Sequence, residues 1–122
     1  MPLILVTDDS PTIRKMVMAS LRAIPNATFI EASNGLESIE AITLQKPDAV
    51  VLDINMPDMN GVEVLEFIRQ HPACSKTPVL ILTTRNDDEI KERVITLGAA
   101  GFISKPFQPA VLVSALKKLL NM

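Results

Sequence analysis

Two hydrophobic periods take turns along this chain, and that alternation limits its possible folds more than any other feature. Short apolar runs occur at Leu3–Val6, Thr28–Glu31, Ala49–Leu52, Val79–Leu82 and Gly101–Ser104. Runs of this length, rich in Val, Ile and Leu, suit strands covered on both faces, as in a parallel sheet. Between them the apolar residues recur at three- and four-residue steps. The first such stripe is Ile13, Met16, Val17, Leu21 and Ile24, opened by the capping residue Ser10 and by Pro11 at the first helical position. Leu36, Ile39 and Ile42 form a second stripe, and Leu65 with Ile68 a third. Ile90, Val94 and Leu97 form a fourth, stopped by Gly98, and Leu112, Leu116 and Leu119 a fifth, with Lys117 and Lys118 where a helix dipole favours cations. Strands alternating with helices predict an open α/β sheet with helices on both faces.

The 122 residues, 48% of them hydrophobic, fit one folded domain with a continuous core, expected to span 1–122 without an effector domain. No apolar run approaches the roughly 20 residues of a membrane span, and no export signal opens the chain. The single cysteine, Cys74, forms no internal disulfide and fits a reducing cytoplasm. A net charge of −2 with scattered basic residues argues against direct nucleic-acid binding.

In open α/β sheets the site lies beyond the carboxyl ends of the strands, where the strand order reverses. Asp8 and Asp9 end the first apolar run and Asp53 ends the third. If those strands are neighbours, three carboxylates converge. Two unit charges about 4 Å apart repel by about 4 kcal/mol at an effective dielectric near 20, so a proton or a cation must intervene. Carboxylates with carbonyls and water are the ligands of hard divalent ions, magnesium above all, with manganese as a substitute. Helix capping by Asp9 or Ser10 accounts for one acid, not for a pair plus a third at another strand end. Thr83 and Lys105 end two further runs and add a hydroxyl and an ammonium to the same rim. This inventory suits phosphoryl transfer to a carboxylate.

The segments "VTDDSPTIR", "VVLDINMPDMNG", "ILTTR" and "GAAGFISKPF" resemble the receiver domain of bacterial two-component response regulators, from Leu3 to about Leu120. The length is most similar to that of stand-alone chemotaxis-type regulators. The resemblance implies a flavodoxin-like doubly wound (βα)5 sandwich with strand order 2-1-3-4-5. It implies a phosphorylation-dependent switch in which Asp53 accepts a phosphoryl group from a histidine kinase or a histidine phosphotransfer protein. Asp9, Asp53 and the Asn55 backbone carbonyl would ligate Mg2+, with Asp8 acting through a metal-bound water. Lys105 would contact the phosphoryl group and Thr83 would follow it, vacating space into which Phe102 turns. The Lys105–Pro106 peptide would be cis. The output partner would read the face formed by the fourth helix, fifth strand and fifth helix, and the protein would be a monomer or a weak dimer on phosphorylation.

The chain departs from that family's pattern at three positions. Phe102 replaces the frequent Tyr, Thr84 adds bulk beside Thr83, and Arg85 places a cation near the rim, within reach of the phosphoryl group or of the Asn55 side chain. Two rival functions share the fold or its chemistry. An aspartate-nucleophile phosphatase needs a second Asp as general acid and base, where this chain has Asn55, which exchanges no proton near neutral pH. A phosphorylation-independent binding module would work normally after Asp53→Ala. The expectation is a switch that catalyses only its own phosphorylation and dephosphorylation, not an enzyme acting on an external substrate.

Overall fold

The computed structural model describes residues 1–85 and 87–122. Its strands are β1 (Leu3–Thr7), β2 (Thr28–Ala32), β3 (Ala49–Leu52), β4 (Val79–Thr83) and β5 (Gly101–Ser104). The helices are α1 (Pro11–Leu21), α2 (Gly35–Gln45), α3 (Gly61–Gln70), α4 (Asp88–Thr96) and α5 (Pro109–Leu119). Each strand lies within one residue of an apolar run. All neighbouring strands pair in parallel, in the order β2-β1-β3-β4-β5.

Side chains alternate across the sheet and so build two cores. Ile4, Val6, Ala49, Val51, Leu80 and Leu82 pack with Val17 and Leu21 of α1 and Leu112 and Leu116 of α5. Leu5, Val50, Leu52, Val79 and Ile81 pack on the other side with Ile42 of α2, Leu65 and Ile68 of α3, and Val94 of α4. Burying each Leu, Ile or Val fully contributes about 1.5–3 kcal/mol, so both faces are strongly specified.

Three stripe residues behave differently from the expectation. Met16 is 49% and Leu36 64% exposed, because α1 points Val17 and Leu21 inward and α2 points Ser38, Ala41 and Ile42 inward. Their neighbours on the helical wheel face solvent instead. Ile24 lies beyond the end of α1 yet is buried, held by the turn that follows Leu21. The starts of α1, α2 and α3 carry side-chain caps. Ser10 accepts from the Ile13 amide and Asn34 from the Glu37 amide, while Asn60 and Glu63 form a reciprocal capping box. Among the described residues no helix is long and apolar enough to cross a membrane.

Candidate functional site

The sheet register decides which residues share a rim. Thr7 pairs with Leu52 and Thr83 with Ser104, so Asp8, Asp53 and Lys105 each follow a strand end at the carboxyl edge. Backbone bonds continue the ladder one step further: the Asp53 amide donates to the Thr7 carbonyl (3.0 Å) and the Lys105 amide to the Thr83 carbonyl (2.8 Å). The chain leaves β1 for β2 on one side and returns to β3 on the other. The Asp8–Asp53 gap is therefore the reversal point.

Oxygens of Asp8, Asp9 and Asp53 all lie within 4.8 Å of one another. Asp8 and Asp53 are buried and Asp9 is exposed. Lys105 Nζ donates to Asp8 Oδ2 at 2.6 Å and to Asp53 Oδ2 at 3.3 Å. The other oxygen of Asp8 accepts from the Ser10 amide (2.9 Å), and the other oxygen of Asp53 from the Asn55 amide (3.3 Å). Burial pushes the Asp53 carboxyl above its ordinary pKa, with Asp8 adding repulsion, while Lys105 pulls the other way. The set is all oxygen, carries more negative charge than one ammonium balances, and has one member open to solvent. Such a donor set fits a hard divalent cation and lacks the His or Cys that zinc favours.

The remaining predicted residues surround this cluster. Thr83 is buried at the end of β4, and its Oγ1 accepts from the Arg85 amide (3.2 Å). The Asn55 side chain donates to Thr84 Oγ1 at 3.3 Å. The Arg85 guanidinium turns instead to Asp87 (3.6 Å), because that carboxylate is its nearby counter-charge, so the expected contact with the Asn55 side chain is made by Thr84. Phe102 is partly buried against the core on the α2–α4 side, and Lys91 Nζ of α4 stands 5.4 Å from its ring centre. The Lys105–Pro106 peptide is cis.

Two residues near the site escaped the sequence reading. Arg14 Nη1 donates to the Asp8 carbonyl (2.6 Å) while its Nε pairs with Glu31 (2.9 Å), which holds the acidic loop against α1. Its place one turn after Ser10 was the only available signal. Asp58 accepts two amides from α2, a long-range contact that nothing in the loop sequence announces.

Residues 4–117 match the model of the response regulator receiver domain. This chain belongs to the response regulator receiver domain family. Receiver domains are phosphorylation-dependent switches of two-component signalling, and this chain is one of them. It is 33% identical to the chemotaxis protein CheY of Thermotoga maritima, covering 95% of each chain. The receiver fold superposes on CheY4 of Vibrio cholerae with a TM-score of 0.90 at 33% identity, over 98% of this chain and 99% of that one. It is also 36% identical to a protein-glutamate methylesterase/protein-glutamine glutaminase of Desulfotalea psychrophila, over 97% of this chain but 34% of that protein. Against several curated relatives the receiver domain spans only about a third to a half of their length.

Proposed function

We propose that Asp53 is the phosphoacceptor of this receiver domain and that its switch acts through the α4–β5–α5 face. The observation that carries the reading is the approach of Lys105 Nζ to Asp53 Oδ2 (3.3 Å) inside a cluster whose carboxylates lie within 4.8 Å of one another. Asp9, Asp53 and the Asn55 carbonyl would hold Mg2+, with Asp8 behind them. A bound Mg2+ would neutralise the acids and the phosphoryl oxygens.

The chain's own residues account for the rest. The Asn55 amide fixes one Asp53 oxygen and leaves its partner turned toward Lys105. That oxygen would attack phosphorus as the bond to the donor histidine nitrogen breaks, and the imidazole would leave with the electron pair. Lys105 would release Asp53 and hold a phosphoryl oxygen, and the Thr83 hydroxyl would donate to another. Movement of Thr83 would then clear space beside Phe102, which lies two register steps back on the neighbouring strand, opposite Ile81. The charge thus biases a two-state element.

The donor would be a histidine kinase or a histidine phosphotransfer protein, in the cytoplasm, and the net charge of −2 supports neither nucleic acid nor membrane as a direct partner. The protein would be a monomer, or pair weakly once phosphorylated. Its catalysis would be limited to its own phosphorylation and dephosphorylation. Amide NMR during a beryllofluoride titration tests this reading. With Mg2+ present, shifts should appear at Asp53, Thr83 and Lys105 and spread to Phe102 and α4. Shifts that stop at the acid pocket would contradict the proposed output face.

A further inference from the structure

We propose that Asp58 is a positioning residue: its carboxylate ties the loop after β3 to the first turn of α2, and so fixes the Asn55 peptide beside Asp53. The inference rests on the reading of Asp53 as acceptor and of the Asn55 carbonyl as a ligand.

The argument begins with the amides that a helix start leaves over. In α2 the Ser38 amide already bonds the Asn34 carbonyl, and the Glu37 amide bonds Asn34 Oδ1 at 2.8 Å. The amides of Gly35 and Leu36 remain. They donate to Asp58 Oδ1 (3.0 Å) and Oδ2 (3.1 Å), one to each oxygen of a single carboxylate. Two parallel bonds fix orientation as well as position, and the positive end of the helix favours an anionic acceptor there.

The loop is thus pinned in the middle as well as at its end, where the Gly61 amide bonds the Ile54 carbonyl at 2.9 Å. A Cβ on Gly35 would stand 2.7 Å from the Met59 Cβ, so the loop lies directly on the helix start. α2 itself is seated on the sheet through Ala41 and Ile42. The loop that carries Asn55 therefore hangs from a fixed frame. Without Asp58 the loop would lose this middle anchor, and the Asn55 carbonyl would be held only through the Ile54–Asn55 peptide, whose carbonyl bonds the Gly61 amide and whose N–H bonds Asp53.

Isothermal titration with Mg2+, well below each variant's melting temperature, tests the tether. Asp58→Ala should bind Mg2+ about tenfold more weakly, the scale of losses on removing groups that orient ligands. Asn34→Ala is the control, since it strips a cap from the same helix without touching the loop, and should bind as the parent does. Asp58→Asn keeps one acceptor oxygen and should fall between, and it replaces Asp58→Ala if that variant does not fold. Parent-like affinity in the Asp58 variants overturns the inference, and so does an equal loss in Asn34→Ala. If the parent chain itself binds no Mg2+, the reading of the site fails, and this inference with it.

Discussion

The Lys105 ammonium stands 2.6 Å from Asp8 Oδ2, a contact between side chains 97 positions apart. Their side chains are only 11% and 5% exposed, so the pair is shielded from water. Removing one partner of such a pair costs roughly 3 kcal/mol, because the other charge stays buried. Lys105→Met should therefore lose about that much stability to urea in metal-free buffer, and recover part of it when Mg2+ is added. Equal stability with and without Mg2+ would speak against a shared site.

Gly61 is where the site meets the limits of packing. A Cβ there would lie 2.2 Å from the Asp53 carbonyl oxygen, a backbone atom that cannot swing aside. Gly61→Ala should destabilise the fold by about 1–3 kcal/mol and slow phosphorylation by acetyl phosphate, since the shift falls on the Asp53 peptide. Urea denaturation and the labelling rate read the two effects separately.

Thr84 holds the Asn55 side chain at the mouth of the site. In Thr84→Ala that amide is released and water reaches the phosphoryl group more freely. The phosphorylated protein should decay about threefold faster, a barrier change of roughly 0.6 kcal/mol. A radiolabel chase with an unchanged decay rate would remove the idea.

The Asp58 carboxyl is held below its ordinary pKa, first by the Gly35 amide, with the Leu36 amide adding to it. A depressed folded pKa means that the unfolded chain takes up the proton first. The stabilisation is thus complete at neutral pH and lost as pH falls through the carboxylate range. Asp58→Asn should melt below the parent at neutral pH, and the gap should close on acidification. A gap independent of pH would contradict this.

Much of the fold and of the site is legible in the amino-acid order, for identifiable physical reasons. The runs at Ala49–Leu52 and Val79–Leu82 are apolar throughout because β3 and β4 are covered on both faces, so period and burial agree. Asp8, Asp53, Thr83 and Lys105 were legible as strand-end polar residues, and a parallel sheet sends all strand ends to one rim. Met16 and Leu36 misled because three- and four-residue spacing does not say which flank of a stripe is buried. Arg14 and Asp58 were hidden because the groups they hold beside the site, the Asp8 carbonyl and the Gly35 and Leu36 amides, are backbone groups with no signature in side-chain chemistry.

Intact-protein mass spectrometry after incubation with acetyl phosphate, with and without Mg2+, tests the central claim most directly. The parent chain should gain one phosphoryl group, only with Mg2+ present, and Asp53→Asn should gain none. A phosphoryl group carried by Asp53→Asn, or one taken up equally well in chelator, would contradict the assignment of Asp53 and its acidic neighbours.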